Sequence, residues 1–332
     1  MNVVPRITVV GSINMDLVVQ CQRIPQAGET ILARSASEIC GGKGANQAVA
    51  AALAGASVSL VGRVGRDAFR DRLLNNLRVQ NVDITHVRTD DHVSSGLAVI
   101  SVEESGQNAI TVVPGANGRV TASDVRDAES VIRSSDLLML QLEIPIDAVM
   151  EAIRIARQCG VRVMLDPAPA PNRNSRKSSI ADQSSNPEKR TDFWDDDLLT
   201  VDFLCPNESE AADLVGHGVD DLVQAEAAAR TLHARGAANV AITMGDRGVM
   251  VFSEGRATMI PAFQVSAVDT TAAGDAFAGA FAVAWAEAGC QTANIVDAVQ
   301  FASAAGALAA CTHGAQPSMA TRDRIEELWR TR

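Results

Sequence analysis

From about Thr121 the chain alternates helix-period stretches with short runs of branched apolar residues, and that rhythm limits the possible folds more than any other feature. The spacing predicts a helix over Ala122 to Ile132, a strand over Leu137 to Gln141, a helix over Pro145 to Gln158 and a strand over Val161 to Leu165. Short strands that are apolar throughout and separated by helices belong to a parallel sheet covered on both faces. Each strand delivers a polar residue at its carboxyl end: Glu143, Asp166, and Asn207 after Phe203-Leu204-Cys205-Pro206. In open parallel sheets those ends line the ligand crevice. Any one of the three could cap a loop, but three at equivalent places argue for a shared site.

The first third fits the same sheet with an interruption. Ile7 to Gly11 reads as a central strand, with Asn14 and Asp16 directly after it. Leu17 to Cys21 and Thr30 to Ile39 then look like strands with no helix between them. Ser57 to Val61 reads as a strand, and Asp67 to Gln80 as a helix with its apolar stripe at Phe69, Leu73, Leu74 and Leu77. Gly96 to Val102 and Ala109 to Val113 are strands expected to rejoin the earlier excursion. The expected fold class is therefore α/β: a three-layer sandwich around a mostly parallel sheet, with a small four-stranded β lid. The core would take 1–13, 41–95 and 114–332, and the lid 14–40 and 96–113. Such a lid excludes water from a reacting phosphoryl group. Residues 171–190, rich in Ser, Asn, Pro, Lys and Arg, read as a mobile surface loop with no part in the chemistry.

Composition narrows the function. At 332 residues, 47% hydrophobic and 21% charged, the chain reads as globular. A net charge of -11 argues against a nucleic-acid partner. No uninterrupted apolar run has the length of a membrane helix and the first residues do not resemble a signal peptide, so the expectation is no membrane and a cytoplasmic address. The six cysteines form no C-x-x-C pair and the five histidines no metal pair, and no G-x-S-x-G occurs.

Two small-residue stretches carry the chemistry. Gly41-Gly42-Lys43-Gly44-Ala45-Asn46-Gln47 opens a helix, and Lys43 and Asn46, about a turn apart, can point at one ligand. It is neither a Walker loop nor a dinucleotide fingerprint, and its glycines could serve only close packing on the sheet. Val268-Asp269-Thr270-Thr271-Ala272-Ala273-Gly274-Asp275-Ala276-Phe277 joins an extended segment to a turn of tiny residues and a long apolar helix. Backbone N–H groups there are open to an anion at the positive end of the helix dipole. Asp275 beside them is suited to act as a base near developing negative charge. The competing reading is an ordinary helix start capped by Asp275. Similarly, Thr243-Met244-Gly245-Asp246-Arg247-Gly248 offers donors to phosphate oxygens or is a plain hairpin turn.

In combination, Gly11-Ser12-Ile13-Asn14-Met15-Asp16, Gly41 to Ala48, Asp166-Pro167-Ala168-Pro169-Ala170, Pro206-Asn207-Glu208, Val268 to Asp275 and Gly314-Ala315-Gln316-Pro317-Ser318 resemble, in order, the motifs of the PfkB-type carbohydrate kinases. The resemblance covers nearly the whole chain outside 171–190. It implies transfer of a phosphoryl group from Mg-ATP to O5 of D-ribose, giving ribose 5-phosphate and ADP, and a homodimer formed through the lid. By matched position, Asn14, Asp16, Gly42, Lys43, Asn46 and Glu143 would hold the sugar and Asp275 would take the hydroxyl proton. Ala272, Ala273 and Gly274 would form the anion hole. Asn207 and Glu210 would arrange magnesium and phosphates, with Thr243, Met244, Gly245, Asp246, Arg247, Gly248, Gly274 and Ser303 along the nucleotide. A monovalent cation, K+, would lie against Asp269, Thr271, Ala309, Thr312, Gly314 and Ser318. Two other readings stand beside this one: a sister kinase acting on deoxyribose, a hexose or a nucleoside, and a catalytically silent sugar sensor.

Overall fold

The computed structural model of the chain describes residues 4–104, 107–170 and 196–332. The loop expected over 171–190 lies outside them. The main sheet is built from β1 (Arg6–Val10), β4 (Ser57–Gly65), β5 (Val82–Asp90), β8 (Leu137–Leu140), β9 (Arg162–Leu165), β10 (Phe203–Leu204), β11 (Val240–Thr243), β12 (Val249–Ser253) and β13 (Arg256–Ile260). Their spatial order is β13-β12-β11-β10-β9-β8-β1-β4-β5. Neighbours from β5 through to β11 pair parallel, and only β12 and β13 run antiparallel to the strand beside them.

The inner strands are apolar on both faces because both faces are roofed. Ile7 and Val9 of β1, with Leu137 and Met139 of β8, enter one core; Val10, Leu138 and Leu140 enter the other. The first core is closed by α1 (Lys43–Leu53), α2 (Arg70–Val79), α9 (Ala273–Glu287), α10 (Ile295–Ala310) and α11 (Arg322–Trp329). The second is closed by α3 (Ala122–Asp127), α4 (Glu129–Arg133), α5 (Ile146–Cys159), α6 (Asp196–Leu199), α7 (Glu208–Val215) and α8 (Leu222–Ala234). Helix, sheet and helix form the expected three layers. The stretch Thr292–Ala310 is long and apolar enough by composition to cross a bilayer. Here Val299, Ala302 and Phe301 of α10 are packed into the first core.

A second, four-stranded sheet in the order β3-β2-β6-β7 combines β2 (Asn14–Cys21) and β3 (Ser35–Gly41) with β6 (Gly96–Glu103) and β7 (Asn108–Val113). The two excursions therefore meet, through parallel pairing of β2 with β6. Three details differ from the sequence reading. β3 starts at Ser35, not Thr30, because the preceding segment has nothing to pack on and Leu32 is 94% exposed. The helix expected over Ala122 to Ile132 is broken at Ala128 (φ -98°, ψ 8°) into α3 and α4. β5 and β13, unanticipated, are the two edges of the main sheet, where lighter cover lets polar residues into the strand and blurs its pattern.

Candidate active site

Two helix starts make the site. α1 begins at Lys43 because Gly42 takes φ 91°, and a Cβ there would stand 2.7 Å from the Asn14 backbone nitrogen. Only glycine lets the chain leaving β3 pass so close to the chain entering β2. Lys43, Asn46 and Gln47 then face one way, one turn apart. α9 begins after Ala272 takes the left-handed conformation (φ 59°). Asp275, 5% exposed, makes no capping bond to its own helix. Its carboxylate turns to α1 instead, accepting from Asn46 Nδ2 at 2.9 Å and Gln47 Nε2 at 3.1 Å, with Lys43 Nζ 3.9 Å away. The helix-cap reading of Asp275 is thereby set aside.

Charge is concentrated around that contact. Lys43 Nζ lies 3.4 Å from Asp166 Oδ2. Burial pulls the ammonium toward its neutral form, but Asp166, Asp275, Glu210 and Glu143 together outweigh it and raise its pKa. Burial raises Asp166 to about 7 against the attraction of Lys43, with Glu210 and Asp275 adding to the rise. Burial, then Glu143 and Asp275, lifts Asp16 to about 7 as well. Glu210 is raised by burial first, Lys43 partly offsetting it.

The hydrogen bonds also fix what each polar group presents. Asn117 Nδ2 donates to Asn14 Oδ1 at 2.6 Å, while its own Oδ1 accepts the Ile13 N–H at 2.9 Å. Asn14 is left with donors to offer. Asn46 uses its nitrogen on Asp275, and its buried Oδ1, an acceptor, has no partner among the described residues. Asp16, 7% exposed, receives no hydrogen bond at its carboxylate among the described residues. Glu143 is held by Ser12 Oγ at 2.5 Å and the Lys43 N–H at 3.2 Å. Unpartnered buried polar atoms are costly, and a polyhydroxylated ligand is what would satisfy this set.

The turn before α9 departs from expectation at one atom. The Ala273 N–H donates to Thr270 O at 3.2 Å, because the left-handed Ala272 closes a tight turn there. The anion hole expected from Ala272, Ala273 and Gly274 thus loses one amide. The N–H groups of Ala272, Gly274 and Asp275 have no partner among the described residues.

Toward the expected nucleotide, Asn207 and Glu210 form a reciprocal capping box at 2.8 and 2.9 Å, and Asn207 bridges Thr243 in parallel. Thr243 to Gly248 is a hairpin turn between β11 and β12, in which the N–H groups of Met244, Arg247 and Gly248 are engaged by the turn itself. The hairpin reading describes its backbone: Met244 is 1% exposed and its side chain belongs to the second core, and Arg247 pairs with Glu208. Only the amides of Gly245 and Asp246 stay open among the described residues. Ser303, expected along the nucleotide, is buried in α10, and its hydroxyl donates to the Val299 carbonyl at 2.8 Å.

Of the expected cation residues, Asp269, Thr271 and Gly314 are joined directly by hydrogen bonds. Asp269 accepts the Thr271 and Gly314 N–H groups, each at 2.9 Å, which lowers its pKa despite burial. Ala309 O accepts the Thr312 N–H at 3.1 Å, and the buried Ser318 Oγ donates to Ala315 O at 2.7 Å. A groove of about 560 Å³ separates these loops from the lid face bearing Asp16, Val18, Ile39 and Ile100. The sequence reading assigned no role to Asn117, Gln141 or the side chain of Gln47. Each is a neutral amide whose importance lies in its neighbours, and only the placing of Gln47 in the small-residue motif hinted at one.

Comparison with known proteins supplies the context. Residues 4–322 match the pfkB family carbohydrate kinases. A ribokinase of Haemophilus influenzae is 37% identical over 322 residues, covering 97% of each chain. A deoxyribokinase of Salmonella typhi is 35% identical over 297 residues, covering 90% of this chain and 91% of its own. The structure of an Arabidopsis thaliana ribokinase complexed with ribose and ATP superposes with a TM-score of 0.83 at 31% identity, covering 98% of this chain and 99% of that one. A lidded parallel sheet, a buried aspartate at a small-residue helix start and a family match along nearly the whole chain agree: the chain belongs to the pfkB family of carbohydrate kinases.

Proposed function

We propose that this chain transfers the γ-phosphoryl group of ATP to O5 of D-ribose, with Asp275 taking the hydroxyl proton. The observation that carries this reading is the Asp275 carboxylate, uncapped and buried, at a helix start whose neighbouring amides are open. A sugar hydroxyl is a weak nucleophile, and a positioned carboxylate contributes about 10²–10⁴-fold as general base. The N–H groups of Ala272 and Gly274, joined by that of Asp275, are aimed where charge accumulates on the transferring group. Lys43, kept charged by its carboxylate neighbours, adds a fixed positive charge.

Asn14 donates, Asn46 Oδ1 accepts, and Asp16 and Glu143 take further hydroxyls. A sugar with one hydroxyl fewer leaves a buried acceptor unpaired, so ribose is favoured over deoxyribose. Glu210, raised by burial, fits a divalent cation carried with the phosphates: Asn207 and Glu210 would face magnesium, which supplies charge neutralisation. The all-oxygen set of Asp269, Thr271, Ala309, Thr312, Gly314 and Ser318 suits K+, which would fix positive charge beside the turn before α9. On the lid, Ile110, Val112 and Val113 of the edge strand β7 are 54, 45 and 46% exposed, and this strip is the surface for a lid-to-lid homodimer.

A coupled ADP-release assay over a panel of ribose, deoxyribose and hexoses tests the reading. Ribose should give the highest kcat/KM, and Asp275→Ala should abolish turnover while ribose affinity stays within a few-fold. Near-normal kcat in that variant, or no ADP release with any sugar, would overturn the assignment.

A further inference from the structure

Gln47 is 1% exposed, and its amide stands between two carboxylates: Nε2 is 2.8 Å from Asp166 Oδ2 and 3.1 Å from Asp275 Oδ1. An ionised carboxylate only accepts, and with Nε2 donating to both oxygens the amide oxygen points the other way. Oε1 accepts from Gln141 Nε2 at 2.6 Å. Gln141 follows β8, is 0% exposed, and its own Oε1 has no partner among the described residues. The orientation of both amides is thus set from the carboxylate end, and it holds even though it leaves Gln141 Oε1 without a partner among the described residues.

The charged groups facing Asp275 are Lys43 of α1, Asp16 of β2, Asp166 after β9 and Glu210 of α7. One ammonium serves four carboxylates. A neutral group that donates to two of them at once favours their ionised forms without adding charge.

We infer that Gln47, oriented by Gln141, is a positioning residue for phosphoryl transfer: it fixes Oδ1 of Asp275 against Asp166 and keeps the carboxylate ready to accept a proton. This rests on Asp275 being the base. It predicts an effect on the chemical step and on its pH dependence, with little on ligand affinity.

The test compares Gln47→Leu, Gln141→Leu and Asp275→Asn in steady-state kinetics between about pH 5 and 9, with thermal unfolding alongside. Gln47→Leu should lower kcat about 10- to 100-fold, the loss of one hydrogen bond to a charged group, and move the acidic limb of kcat to higher pH. KM for ribose and for ATP should stay within about threefold. Gln141→Leu, which leaves Gln47 in place but unbraced, should shift both readouts the same way by less. A fall in kcat with the acidic limb unmoved, or a rise in KM at constant kcat, overturns the inference. Should Gln47→Leu fail to fold, Gln141→Leu decides: a wild-type profile overturns the inference and a shifted limb supports it. If Asp275→Asn loses turnover while both glutamine variants keep the wild-type limb, this inference alone falls. If Asp275→Asn turns over normally, the assignment of the base falls and takes this inference with it.

Discussion

Replacing Gly279 with alanine sets helix propensity against packing, and the two give opposite signs. Gly279 is one turn beyond Asp275 on the same face of α9, against α1. A Cβ there would stand 2.5 Å from Ala50 Cβ, 2.7 Å from Ala51 N and 2.8 Å from Gln47 O. Carbon contacts settle near 3.5–4.0 Å, so the helices must part by about 1 Å. Two of the three obstructing atoms belong to the backbone and cannot swing aside. Propensity alone would stabilise the protein by about 1 kcal/mol, while overpacking costs about 1–3 kcal/mol or more. The expected net is a loss of up to about 2 kcal/mol.

The same displacement reaches the site. The 2.9 Å bond from Asn46 and the 3.1 Å bond from Gln47 to Asp275 span the interface that Gly279 holds closed. An error of about 1 Å in a catalytic group costs roughly 10²-fold in rate. Gly274→Ala is the control on the same helix, because nothing lies within 4 Å of a Cβ added there. It should leave the ligand-free stability unchanged or slightly raised and impair only phosphate binding and turnover. Urea unfolding and steady-state kinetics of both variants decide the matter. A Gly279→Ala protein that is more stable by about 1 kcal/mol with wild-type kcat would refute the claim that the α1–α9 spacing sets the site.

Two further outcomes follow from the charges. Asp16 rises from 3.8 to about 7 on folding, so its contribution to stability is full below about pH 4 and is lost as the pH climbs to 7. Asp16→Asn should therefore stabilise the ligand-free protein by about 2–4 kcal/mol at pH 8 and by nearly nothing at pH 4, while weakening ribose binding; equal unfolding midpoints for the two proteins at pH 8 would contradict this. Exchange of K+ for a large organic cation should depress kcat, and Asp269→Ala should remove the difference between the two salts. Activity indifferent to the exchange would mean that the loop around Asp269 and Gly314 serves only packing.

The sequence revealed the parts of this molecule that charge and periodicity mark, and hid those that depend on a neighbour. The inner strands were legible because burial on both faces leaves only apolar residues, as at Leu137 to Leu140; the edges β5 and β13 were not, since one-sided cover admits His86 or Arg256 into the strand. Asp275, Lys43 and Asn46 were legible because small residues around a charge are a rare combination. Their mutual distances were not, since those depend on α1 meeting α9 at Gly279, more than two hundred residues away in sequence. The bond Ser303 makes was not legible either, because a hydroxyl in a helix can bond its own backbone four residues back, an option that sequence position does not reveal. Asn117, Gln47 and Gln141 were hidden for a deeper reason. An amide can face a neighbour with either its donor or its acceptor, so its residue type says nothing about which it presents; the choice is made by the carboxylate or backbone group at the far end of the bond. In this site Asp166 and Asp275 orient Gln47, Gln47 orients Gln141, and the Ile13 backbone orients Asn117 and through it Asn14. Specificity for a sugar is a pattern of donors and acceptors, so the part of the function hardest to read from sequence is the part these neutral side chains write.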